Sequence, residues 1–308
     1  MTGGLTAGRS RVWAALLVVY VVWGSTYLAI RVALRSVPPF LLGASRFVIA
    51  GAIVAAIGIV VARRASERVE WRDAWRGALL PGFLFFGLGN GSVAWAEQRL
   101  DTGVTSLVVA GLPLWLALAD RLLYRRSLSA LTVAGIVLGL GGVAVLAGPG
   151  GSTRVDGLGV LGLIVGGIAW ALGSLRLREA PPRSNPLLAS GLQMVVGASF
   201  LAVFALANQE PWEAGAPTWP AVGGIAYLVV VGTLVGFMLY VWLLRNAPTP
   251  LVATYAFANP IVAVLLGWGL EHEQLDARTL GAAALIVGAV ALVVVDQARR
   301  SAPATLDR

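Results

Sequence analysis

The chain has 308 residues, 58% of them hydrophobic and only 12% charged, with a mean hydropathy of +0.81. A soluble domain carries about 25% charged residues, so this composition excludes a water-soluble fold and points to a polytopic membrane protein. The formal charge of +8 rests on 23 basic residues, all arginine, set in short segments between apolar runs; that pattern reads as membrane topology and not as a nucleic-acid surface. Cysteine is absent, which removes disulfides, thiolate chemistry and Cys-based metal sites.

A short Gly/Thr/Arg tail covers residues 1–11. Runs of about twenty apolar residues follow, each long enough to cross a bilayer as a helix. They predict helices at about 13–35, 39–62, 76–97, 102–122, 130–148, 157–177, 187–207, 220–244, 251–270 and 279–296. The first run follows Arg9 and Arg11 but is too long for a signal h-region, so it reads as a retained span. A polar tail ends the chain.

Arginine placement sets the orientation, because cytoplasmic loops collect positive charge. With the N-terminus inside, seventeen arginines fall on the cytoplasmic side and five, Arg31, Arg35, Arg99, Arg154 and Arg278, fall outside. Arg46 lies within a helix. The bias predicts both termini in the cytoplasm.

The chain also repeats itself. A shift of 147 residues carries Trp23 onto Trp170, Arg31 onto Arg178, Pro39 onto Pro186, Gly89 onto Gly236, Trp95 onto Trp242 and Pro113 onto Pro260. Matches of Trp and Pro are harder to dismiss than matches of Leu or Ala, since both residues are rarer. Two halves, 1–149 and 150–308, follow. Each holds five helices, an odd number, so the second must enter the membrane from the opposite side. Inverted repeats of this kind are common in secondary transporters, with the binding site near the midplane at the repeat interface.

Polar groups within the spans are few. Arg46 stands seven residues after Pro39, about 10 Å into its helix at about 1.5 Å per residue. A charge at a helix centre costs about 2.5–3.5 kcal/mol on insertion scales. Arg46 either pairs with a carboxylate or an anionic substrate group, or snorkels to the outer headgroups. Pro113 and Pro260 each remove a helix hydrogen bond; they mark hinges along a cavity or tolerated kinks. Trp23, Tyr27, Asn90, Trp95, Trp170, Gln193, Tyr240, Tyr255 and Asn259 join Arg46 as the candidate substrate-cavity set, able to hold an apolar solute body with a few polar handles. Packing and interface-belt roles remain open for these aromatics.

Glu97 and Asp120 fall at helix ends and read as solvated charges. His272, the single histidine, lies between Glu271 and Glu273 and reads as solvated, not as a metal ligand. No acid or histidine stands at mid-span, which argues against a membrane enzyme and leaves proton coupling without an obvious group. No cofactor or metal is expected. Gly135-x-x-x-Gly139 and Gly162-x-x-x-Gly166 permit close helix approach; a homodimer and a monomer are both open.

The segment Trp23-Gly24-Ser25-Thr26-Tyr27-Leu28-Ala29-Ile30, then Pro38-Pro39 and Arg46-Phe47, resembles the first repeat of EamA-type members of the drug/metabolite transporter superfamily. Trp95-Ala96-Glu97-Gln98 with Leu112-Pro113-Leu114 is similar to that family's third and fourth helices, and the second half carries the matching Asn259-Pro260 helix. The resemblance covers nearly the whole chain. It implies an all-α membrane protein of ten transmembrane helices in two inverted five-helix repeats around a central cavity. It also implies export of small metabolites or drugs, amino acids among them. The second half departs from the first where Gln193 takes the Arg46 position and Leu172-Gly173-Ser174 takes that of Ser25-Thr26-Tyr27. The expected activity is export of small organic solutes across the cytoplasmic membrane by alternating access, with an uptake permease for a polar metabolite as the alternative. The expected partners are the solute and the lipid bilayer, with no nucleic acid.

Overall fold

The structure, a computed structural model, describes residues 8–125, 127–147, 154–179, 184–211, 216–247, 249–252 and 254–301. Among these the regular secondary structure is all helical. The longer helices are α1 (Arg9–Ala33), α2 (Pro39–Arg64), α3 (Trp71–Glu97), α4 (Thr102–Tyr124), α5 (Ala130–Ala147), α6 (Gly157–Glu179), α7 (Pro186–Ala207), α8 (219–246), α9 (Tyr255–Leu270) and α10 (Ala277–Ser301), and a single turn, Thr249–Val252, lies ahead of α9. Among the described residues, eight helices are long and apolar enough to cross a bilayer; α5 and α9 hold shorter apolar stretches, Ala130–Leu146 and Ala258–Leu270. Large apolar side chains such as Leu17, Leu122, Leu206 and Trp219 face outward, as they must when the surrounding solvent is lipid.

Helix starts are fixed by local chemistry. Proline occupies the first turn of α2, α7 and α8, where its missing N–H would be unpaired anyway. The Asn185 side chain accepts from the Leu187 N–H, Ser129 Oγ from the Thr132 N–H and Asp276 Oδ1 from the Thr279 N–H. Ser129 and Asp276 are partners under the 147-residue shift, so the two halves cap α5 and α10 alike. Two caps come from distant loops. Glu210 accepts from the N–H groups of Phe40 and Leu41, both at 3.0 Å, and Glu273 from those of Thr102 and Gly103 at 2.6 and 3.0 Å. A carboxylate at a helix N-terminus satisfies free donors and complements the helix dipole.

The middles of α3 and α8 are wider than an α-helix. Phe83–Asn90 and Leu228–Val235 form π-helical sections at nearly matching positions in the two halves. Pro81, without an N–H, stands just ahead of the first section. In each section a side chain covers a carbonyl five residues back. Asn90 Nδ2 donates to Phe85 O at 3.0 Å, and the Thr233 hydroxyl donates to Leu228 O at 2.8 Å. In lipid, a carbonyl released from the regular ladder needs such a partner.

Glycines bring the helices together. Gly43 sits against Leu201, Gly51 against Gly191 and Met194, and Gly58 against the backbone of Leu188. Residue numbers rise on α2 as they fall on α7, so this pair is antiparallel. The same holds for α5 and α10, where Gly135 meets Val293 and Gly142 meets Ile286. Gly139 lies against Leu114 and Ala289, Gly162 against Trp95 and Gly166 against Ser92. The small-residue spacings noted in the sequence are therefore filled within the chain. α1 packs across α8 and α9 of the other half, and α6 across α3 and α4.

Two expectations need correction here. α4 is not continuous through Pro113: it pauses at Gly111, between Thr102–Ala110 and Leu112–Tyr124. Pro113 therefore sits in the first turn of a new segment, where its missing N–H costs little. Pro260, by contrast, is inside α9 and buried. The second correction concerns Glu97, expected to be solvated at the end of α3, which is 0% exposed.

Candidate functional site

A cavity of about 540 Å³ lies among α1, α2, α3, α4, α6, α7, α8 and α9. Its volume is in the range of small-molecule sites. Among the described residues, α5 and α10 give it no lining residue. Both π-helical sections reach it, through Phe85, Phe86, Gly89 and Asn90 on one side and Gly232 and Thr233 on the other.

Two aromatic groups form much of its wall, and each joins the two halves of the chain. Trp23 packs on Tyr240 and Tyr255 with ring centroids 5.2 and 4.9 Å away, and its indole N–H donates to the Gly232 carbonyl at 3.2 Å. Trp170 meets Phe85 edge-on at 4.9 Å and lies against Gly89. Such edge contacts suit the charge distribution of the rings. The Tyr20 hydroxyl is hydrogen-bonded to that of Thr254, just ahead of Tyr255.

The polar groups are sparse. Among the described residues, Arg46 is the one formally charged side chain lining the cavity. Its Nε donates to Thr233 Oγ1 at 3.3 Å, and its guanidinium lies 4.8 Å from the centre of the Phe47 ring. Gln193, at the matching position of the second half, is buried and lines the same space. Asn259 Oδ1 is buried without a hydrogen-bond partner.

The structure thus places Trp23, Tyr27, Arg46, Asn90, Trp170, Gln193, Tyr240, Tyr255 and Asn259 around one space. Trp95 is not there. Its ring covers Gly162 and stacks beneath the Arg99 guanidinium at 3.9 Å, and it lines a separate hollow with Pro38, Gln98 and Pro211. Its place near the end of α3 puts it beyond the cavity. Pro113 and Pro260 are not lining residues, although their neighbours Leu112 and Asn259 are. The sequence reading missed Thr26, Ser92, Ser174, Ser190, Thr233, Phe85 and Phe86. Small hydroxyls in apolar helices give little signal, because they bond to their own helix; Thr26, Ser92 and Ser174 do so here.

A charged network lies at the end of the bundle near the α3–α4 turn. Arg31 donates to the carbonyl oxygens of Glu97 and Leu100, and Arg154 Nη2 donates to the same two at 3.3 and 3.1 Å. The Asp101 carboxylate lies 3.6 Å from Arg31 and 3.8 Å from Arg154. Partial burial and then the neighbouring Arg31 hold the Arg154 guanidinium below its usual value. Glu97 accepts from the Thr102 hydroxyl at 3.3 Å through one oxygen, while the other has no partner. Asp120 is half-buried, and His272 is exposed as expected. Among the described residues no group of three His, Cys, Asp or Glu could hold a metal ion.

Comparison with known proteins adds the following. A family model described as the EamA-like transporter family matches residues 11–148 and again 157–295. The uncharacterized inner membrane transporter YedA of Escherichia coli strain K12 is 32% identical over 285 residues, covering 92% of this chain and 90% of its own length. The uncharacterized transporter YvbV of Bacillus subtilis is 25% identical over 289 residues, with 92% of each chain covered. A WAT1-related chloroplastic protein of Arabidopsis thaliana is 24% identical, across 91% of this chain and 69% of its own. A solved crystal structure superposes with a TM-score of 0.61 at 22% identity, covering 96% of this chain and 100% of that one. At that identity the likeness concerns the fold.

Proposed function

The chain belongs to the EamA-like transporter family, and from that premise we propose that it exports small organic solutes across the cytoplasmic membrane by alternating access. The observation that carries the proposal is the cavity of about 540 Å³ walled by side chains of both halves. A solute held there touches α1 to α4 and α6 to α9 together, so a relative movement of the halves would open it to one side or the other. The relative YedA is named as an inner membrane protein, which favours that membrane.

The scaffold of the proposal is ten spans in two inverted repeats. α2 and α7 correspond under the 147-residue shift and run antiparallel, and so do α5 and α10. Equivalent helices facing opposite ways are what an inverted duplication requires. The arginine bias supports both termini in the cytoplasm. Pro260 and the pause at Gly111 supply compliance in α9 and α4.

The test uses purified protein in liposomes loaded with a bacterial metabolite extract. Protein-dependent release of a defined set of organic solutes, followed by mass spectrometry, supports the proposal. Release identical to that of empty liposomes overturns it.

A further inference from the structure

We propose that the cavity selects solutes of net charge −1, with one carboxylate or similar oxyanion seated at Arg46 and a flat apolar body held among the tryptophan and tyrosine rings. This names the substrate class of the cavity and rests on the transport reading given above.

The unbalanced charge of Arg46 carries it. The guanidinium has five N–H donors in a fixed fork suited to a carboxylate. One of them is accounted for, by Thr233 Oγ1, and the Phe47 ring lies beside the group. Among the described residues no carboxylate pairs with Arg46 within ion-pair distance, and no Asp or Glu lines the cavity. Of the acids at the α3–α4 end of the bundle, Asp101 is engaged with Arg31 and Arg154 and Glu273 with the start of α4, while Glu97, buried with one oxygen unpartnered, does not line the cavity. A cation in a low-dielectric space without a counter-charge is expensive. A ligand oxyanion removes that cost.

The repeat sets the amount of charge. The matching position of the second half holds Gln193, which lines the same cavity. The space therefore presents one positive charge and not two, which fits a monoanion better than a dianion. An ammonium group would meet Arg46 with no acid to receive it, so a cationic or zwitterionic solute is disfavoured. The rings of Trp23, Tyr255 and Trp170 provide flat apolar surface, and the unpartnered Asn259 Oδ1 can accept from a neutral N–H or O–H of the solute.

The experiment titrates the protein in lipid nanodiscs with phenylacetate, phenylacetamide and phenethylamine, which share one ring and differ in charge. Binding is followed by tryptophan fluorescence, since Trp23 and Trp170 line the cavity. Phenylacetate should bind roughly tenfold or more tightly than the other two, the step expected for a charge-assisted forked contact. Arg46→Gln should remove that preference, weakening phenylacetate about tenfold or more and phenylacetamide much less, and Arg46→Lys should restore part of it. Equal affinity for all three, preference for the amine, no binding of phenylacetate, or full binding by Arg46→Gln overturns the proposal. If Arg46→Gln does not fold, the ligand series on the unaltered protein decides. Extract-loaded liposomes separate the two claims: release of cations or neutral solutes alone overturns the monoanion class and leaves transport standing. Phenylacetate binding without any release does the reverse.

Discussion

Trp23 lies directly against Gly236, where an added Cβ would come 2.4 Å from the indole nitrogen, and in the equivalent pair of the other half, Trp170 and Gly89, an added Cβ would come 2.8 Å from the indole ring. Each indole is admitted to the cavity wall by a glycine from the opposite half. Gly236→Val and Gly89→Val should therefore displace the indoles. The expected outcome is loss of solute release together with a shift in tryptophan emission, at a stability cost of about 1–3 kcal/mol for overpacking. Unchanged emission in both variants would contradict the contact.

Replacing Trp170 or Asn259 by alanine should abolish solute release while membrane abundance stays near that of the unaltered protein. Trp95→Phe serves as the contrast, because Trp95 packs on Gly162 and Arg99 outside the cavity. It should transport normally. Liposome release normalised to protein content distinguishes the three.

The α2–α7 contact leaves no room at Gly58, where an added Cβ would be 2.3 Å from the Leu188 backbone nitrogen. Gly58→Leu should lower the melting temperature in detergent and reduce abundance. Gly281→Ala and Gly288→Ala, with open space around an added methyl, should not lower stability and should gain about 0.8–1.0 kcal/mol each from better helix propensity.

Glu273→Ala should expose two backbone donors at the start of α4. A loss of about 0.5–2 kcal/mol is expected for a helix cap, read as a lower melting temperature. Glu210→Ala should act likewise on α2. His272→Ala, between two acids but itself exposed, should leave stability unchanged.

Cysteine labelling tests the proposed orientation without background, since the chain has no cysteine. Arg68→Cys and Ala216→Cys, both exposed in loops, should react from opposite sides of the membrane with an impermeant maleimide. Labelling from one side would refute the ten-span arrangement.

Much of the helical layout was legible because a bilayer imposes length and hydrophobicity on each span. Trp23, Trp170, Arg46 and Asn259 stood out because amphipathic and polar groups are conspicuous in an apolar run. Glu97 was misjudged for a reason of tertiary origin: its surroundings include Arg31, Arg154 and Glu273, which no local pattern brings together. The π-helical sections were also hidden. Pro81 hints at the first, but Leu228–Val235 contains no proline and no periodicity that marks its wider winding. Trp95 illustrates the opposite error, since a matched tryptophan suggested function where its ring serves packing on Gly162.

The origin of the two distant helix caps bears on biosynthesis. Glu210 and Glu273 both lie in the later half of the chain, yet the helix starts they close belong to the earlier half. As the polypeptide leaves the ribosome, the beginnings of α2 and α4 lack these carboxylate partners until the segments after α7 and α9 have been made. The first half is inserted early and completed late, and a chain truncated before Glu210 would leave both ends open.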